Sequence, residues 1–150
     1  MKNLFKTALA GITLLSLGLG LQAADVKWLD NFEKAKAEAK AQKLPILADF
    51  TGSDWCPWCM KLDEEVFSKK EFTDYASKSL ILLKVDFPET IKLQPGVVKQ
   101  NKNLAETFDV DAFPTVLMLD SDGKLLGRTG YKDGGAVKYV EHLKEIIEGK

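Results

Sequence analysis

Two cysteines stand three positions apart in Trp55-Cys56-Pro57-Trp58-Cys59, and the 150-residue chain has no others. A disulfide between them closes so small a ring that it restricts the unfolded chain very little, so its value is chemical more than mechanical. A redox-active dithiol is the leading reading, against a local staple or a pair of inert buried thiols. Zinc is a poorer fit, because a closed zinc site wants four ligands of the Cys, His or carboxylate type. Beyond the two sulfurs the chain offers one histidine, His142, which falls in a C-terminal helical pattern and reads as a surface residue.

The elements that must position the pair can be read from periodicity. Trp28, Phe32, Ala35 and Ala39 fall at helical spacing among charged residues, which predicts a helix over 27–43 stopped by Pro45. Ile46 to Thr51 is a short apolar run of the kind buried on both faces of a sheet. The dithiol follows it and opens a helix over 57–67, with a further helical segment over 70–77. Residues 80–85 read as a second buried strand, 87–98 as an irregular stretch carrying Pro88, Pro95 and Gly96, and 99–108 as a helix. Strands over 115–119 and 124–129 are joined by the turn signal Ser121-Asp122-Gly123, and a last helix follows Gly134 and Gly135. Helices between strands imply a parallel portion of sheet, and the hairpin adds an antiparallel edge. The expectation is an α/β fold, a central mixed sheet flanked by helices on both faces, with the dithiol at the carboxyl end of a strand.

That placement has a chemical consequence. With Cys56 at the N-cap, Pro57 occupies the first helical position, where its missing N–H costs nothing. The positive end of the helix then favours a Cys56 thiolate and lowers its pKa. Cys56 is expected to be the exposed nucleophile and Cys59 the thiol that resolves its mixed disulfides. Asp54, two residues earlier, opposes thiolate formation through its charge. Asp49 is an anomaly within an apolar strand pattern, where burial raises a carboxyl pKa, although a carboxylate capping the following turn is an alternative.

The amino terminus bears on location. Lys2 and Lys6 precede a 15-residue uncharged run from Thr7 to Leu21, and Gln22-Ala23-Ala24 supplies small residues for cleavage. This reads as a secretory signal peptide over 1–23, cleaved after Ala23, with a mature domain over 24–150 exported to the periplasm, or outside the cell where there is no outer membrane. The run is too short for a membrane anchor, which needs about 20 apolar residues. Removing residues 1–23 leaves 127 residues with 19 basic and 22 acidic side chains, a net charge of −3. That length suits a single core. The charges are interspersed, and no basic stripe with interleaved aromatics suggests nucleic acid.

The stretch from Asp49 to Cys59, together with Phe113-Pro114-Thr115 and Gly130, resembles the thioredoxin superfamily. Within it, Phe50-Thr51-Gly52-Ser53-Asp54-Trp55-Cys56 and the following Trp58-Cys59 resemble the exported single-domain thioredoxins of the DsbH type. Val85-Asp86-Phe87-Pro88 and the glycine-rich segment 130–135 extend that likeness. The resemblance implies a thioredoxin fold and a thiol-disulfide oxidoreductase without a cofactor or metal. It implies that Asp49 passes a proton to or from Cys59, although the segment from Asp49 to Cys56 is one residue longer than the compact thioredoxin pattern, which leaves that reach open. It implies a cis peptide at Pro114 facing the dithiol, with Phe113 and Thr115 flanking a substrate groove whose other wall is Trp55, Pro57 and Trp58.

The same resemblance favours reduction of disulfides in exported client proteins, with electrons delivered by a membrane transporter of the DsbD kind. An oxidant or isomerase uses the same chemistry in another direction, because potential and recharging partner decide it. A non-enzymatic binding module, contacting partners through 87–98, is the third reading. An isomerase of the dimeric type would need a dimerisation module, for which no residues remain, and a monomer is expected.

Overall fold

The computed structural model describes residues 26–149, so the expected signal peptide lies outside the described residues. The chain forms β1 (Trp28–Leu29), α1 (Phe32–Gln42), β2 (Ile46–Thr51), α2 (Pro57–Leu62), α3 (Lys70–Ser79), β3 (Ile81–Asp86), α4 (Pro95–Thr107), β4 (Thr115–Leu119), β5 (Leu125–Thr129) and α5 (Gly135–Glu148). Between α2 and α3 the helix continues as a wider π turn over Asp63–Phe67. One sheet runs in the order β1-β3-β2-β4-β5. Its β1, β3 and β2 strands are parallel, whereas β4 is antiparallel to both β2 and β5. The mixed sheet with helices on its two faces is the architecture expected from the sequence.

Every residue of β2 is buried, and alternate side chains serve opposite faces. Ile46, Ala48 and Phe50 meet Ala35 and Ala39 of α1 and Leu104 of α4. On the other face Leu47 joins Leu62, Val66 and Phe67 around α2, with Phe72 of α3 and Tyr139 and Leu143 of α5. Asp49 shares the parity of Leu47, so it points toward the face that carries the dithiol helix.

The largest departures from the sequence-based expectation are at the start of α1 and the start of α4. The helix expected over 27–43 starts at Phe32, because Asn31 caps it by accepting the Lys34 N–H at 2.8 Å. Trp28 and Leu29 pair instead with Leu82 and Leu83 as an additional first strand. The helix expected over 99–108 begins at Pro95, so the irregular stretch ends at Gln94. Proline at the first helical position lacks an N–H that would have no partner there anyway. His142 is half-buried and not simply a surface residue. It lies on the flank of α5, with Nε2 3.0 Å from Thr129 Oγ1 and its ring against Tyr139.

Candidate active site

The dithiol lies where β2 hands over to α2. Cys56 and Cys59 form a disulfide with Cα atoms 5.3 Å apart. Cys56 caps α2 with extended backbone, Pro57 occupies its first turn, and the Cys59 N–H donates to Cys56 Sγ at 3.2 Å. An amide donor and the positive helix end both stabilise negative charge on that sulfur. Cys56 is only 4% exposed and Cys59 5%, so the expected exposed sulfur is not found in the oxidised state. In that state the Cys56 sulfur is taken up by its bond to Cys59 and by the Cys59 amide.

Two aromatic clusters are built on residues adjacent in sequence to the pair, one on Trp55 and one on Trp58. Trp55, 40% exposed, meets Phe113 edge-on with ring centroids 6.0 Å apart, and Phe113 stacks on Phe87 at 5.0 Å. The Trp55 indole N–H donates to the Phe87 carbonyl at 2.7 Å. Its ring lies over Gly52, where a Cβ would come within 2.4 Å of it. Trp58 is 55% exposed and contacts Tyr131 with ring centroids 5.2 Å apart. The Lys61 ammonium sits 5.0 Å from the Trp58 centroid and 4.9 Å from that of Tyr131. The Tyr131 hydroxyl donates to Glu65 at 2.6 Å.

The Phe113-Pro114 peptide is cis. A Cβ on Gly130 would lie 2.9 Å from the Pro114 carbonyl oxygen, so the chain after β5 passes close to this loop. Pro114 and Phe113 are half-buried, Pro57 is exposed, and Thr115 is buried with its hydroxyl donating to the Ala112 carbonyl at 2.7 Å.

Asp49 is 5% exposed, and its Oδ1 has no hydrogen-bond partner. It lies in β2, in register with Lys84 of β3 and Val116 of β4, and does not cap a turn. Burial pushes its carboxyl up to about 7, Lys84 pulls it back, and the charges of Asp63 and Asp86 push it further up. Asp49, Cys59, Asp63 and Lys84 line one cavity of about 180 Å³, so the buried carboxyl and the resolving sulfur open onto the same space.

Asp54 is engaged differently from its sequence-based reading. Its carboxylate accepts the N–H groups of Glu89 (2.9 Å), Thr90 (2.8 Å) and Ile91 (3.2 Å), and also the Thr90 hydroxyl. The Thr90 hydroxyl first, then the Glu89 amide, hold the carboxyl well below the usual carboxylate range. Ser53 reinforces the junction, its N–H and hydroxyl donating to Asp86 at 3.0 and 2.6 Å. Sequence reasoning singled out 87–98 as a candidate contact segment but missed its tether to Asp54, and it missed the pairing of Lys61 and Tyr131 with Trp58; these partners are remote in the chain and carry no local signature. Among the described residues, no cluster of three or more His, Cys, Asp or Glu side chains could hold a metal.

Comparison with known proteins bears on this geometry. A family model described as a thioredoxin-like domain matches residues 32–144. Disulfide bond reductase DsbH of Chlamydia pneumoniae is 32% identical over 128 residues, which cover 85% of this chain and 76% of that protein. A solved DsbH oxidoreductase superposes with a TM-score of 0.80 at 32% identity, covering 87% of this chain and 94% of its own. Thiol:disulfide interchange protein DsbD of Campylobacter jejuni (strain RM1221) is 28% identical over 126 residues, 84% of this chain but 21% of DsbD.

Proposed function

The chain belongs to the thioredoxin-like domain family and is a thiol-disulfide oxidoreductase, and on that premise we propose that it works as a reductase of disulfides in exported proteins. The observation that carries the direction is its likeness across most of the chain to a protein named a disulfide bond reductase, combined with a Cys56–Cys59 disulfide at a helix N-terminus.

The reaction starts from the reduced dithiol. The Cys56 thiolate attacks one sulfur of a client disulfide, forming a Cys56–client bond and releasing the other client sulfur as a thiolate. Ionised Asp49 accepts the Cys59 proton through the shared cavity, and the Cys59 thiolate attacks Cys56 Sγ. The second client thiolate leaves, the Cys56–Cys59 disulfide closes, and two electrons have passed to the client. Pro57 fixes the helix start beneath the sulfur. Trp55, Trp58, Phe113 and Pro114 line the approach, and the buried Thr115 braces the Pro114 loop through its bond to the Ala112 carbonyl.

Recharging the dithiol needs two electrons from a membrane transporter of the DsbD kind, a partner supported by the likeness to part of DsbD. Export rests on the amino-terminal pattern of Lys2, Lys6 and the apolar run to Leu21. Among the described residues, no helix is long and apolar enough to cross a membrane.

The roles of the sulfurs are tested by trapping. Cys59→Ser accumulates mixed disulfides with clients through Cys56, whereas Cys56→Ser accumulates almost none. Equal trapping by the two variants overturns the assignment.

A further inference from the structure

The segment after β3 is held in an unusual way. Among the described residues, every hydrogen bond made by residues 88–93 goes to the Asp54 carboxylate, two positions before the reactive cysteine. Glu89, Thr90 and Ile91 are exposed, so their amides would otherwise face water. The segment begins at Phe87, which stacks on Phe113 and accepts the Trp55 indole N–H, so it continues directly from one wall of the dithiol groove. Ile91, 53% exposed, lines a cavity of about 200 Å³ together with Phe87, Pro88, Leu93 and Val98.

We propose that Asp54 is a positioning residue that holds residues 88–91 as an extension of the client groove, so that Ile91 meets the polypeptide flanking a client disulfide. The inference rests on the oxidoreductase reading and deepens it. A carboxylate suits the task because it offers only acceptors, on two oxygens, to four converging donors. Its carboxyl stays ionised far below neutral pH, so the tether holds through the mildly acidic range. Asparagine keeps one acceptor oxygen and replaces the other with a donor that faces N–H groups.

The test compares the full chain with Asp54→Asn and Thr90→Val, using insulin as a protein disulfide and bis(2-hydroxyethyl) disulfide as a probe with no polypeptide. In Asp54→Asn, amide exchange at 89–91 accelerates about tenfold or more, since charge assistance is lost at all three amides and one of the two acceptor oxygens is replaced by a donor. KM for insulin rises roughly fivefold, an expectation scaled to losing the ordered wall, while the rate on the small disulfide falls much less. Thr90→Val, which keeps the charge and loses one donor, moves exchange and KM the same way by a smaller factor, and decides the matter if Asp54→Asn does not fold. A lowered Cys56 alkylation pKa with KM unchanged makes Asp54 a charge acting on the thiolate and overturns the proposal. So does an equal fall on both disulfides, or no change in exchange. If the unaltered chain reduces neither probe, the oxidoreductase reading itself fails.

Discussion

Replacing Asp49 with asparagine changes how stability depends on pH, and the size of the change follows from its position. The carboxyl is raised from an ordinary 3.8 to about 7 because it is buried with Oδ1 unpaired. Between those values the folded chain holds a proton that the unfolded chain has released, so stability falls as pH rises. The contribution is fully present below pH 3.8 and is lost as pH rises through about 7. At about 1.4 kcal/mol for each tenfold displacement of an ionisation equilibrium, the ionised carboxylate costs the fold about 4 kcal/mol. That is a large part of the roughly 5–15 kcal/mol that holds a domain together. An asparagine side chain at this position cannot ionise. Urea unfolding of the oxidised protein at pH 4 to 9 should therefore show the Asp49→Asn variant gaining on the parent by about 4 kcal/mol across that range. Titrating groups that do not interact with Asp49 cancel in the difference. Two profiles that stay parallel within about 1 kcal/mol would refute the reasoning, because a carboxyl with an ordinary pKa gives no such divergence.

The lysine opposite Asp49 supplies the next test. Lys84→Met removes the charge that pulls the carboxyl down, so the apparent Asp49 pKa rises above about 7 when followed by NMR, and an unmoved titration would mean Lys84 does not act there. Gly52→Ala places a Cβ within 2.4 Å of the Trp55 ring, which must move and give up its bond to the Phe87 carbonyl. The expected loss is about 1–3 kcal/mol, the usual cost of overpacking, read by urea unfolding together with a shift in tryptophan fluorescence. In cells lacking a DsbD-type transporter the dithiol accumulates as the disulfide, which thiol alkylation detects; a dithiol that stays fully reduced removes that partner from the account.

What the sequence reveals and what it hides have physical causes. β2 was legible because all six of its residues are buried, leaving an apolar run broken only by Asp49 and Thr51. The N-cap placement of Cys56 could be read because proline is tolerated in the first helical turn. β1 was hidden because Trp28 lies in helical phase with Phe32, Ala35 and Ala39, and only pairing with Leu82 makes it a strand. The start of α4 was obscured because Pro95 and Gly96 read as loop residues, whereas proline also fits a helix's first turn. Asp54 was readable as a charge near Cys56 but not as a tether, since its partners lie 35 to 37 residues away. Trp58 and Tyr131 likewise meet only after folding.

The central claim is that Cys56 and Cys59 form a dithiol poised to donate electrons, and its most direct test is the redox equilibrium of the purified protein. Titrated against dithiothreitol and glutathione with thiol alkylation as the readout, the pair is predicted to equilibrate near the thioredoxin value of about −270 mV. A potential near the DsbA value of about −120 mV would make it an oxidant, and a disulfide that exchanges with neither reagent would contradict redox chemistry altogether.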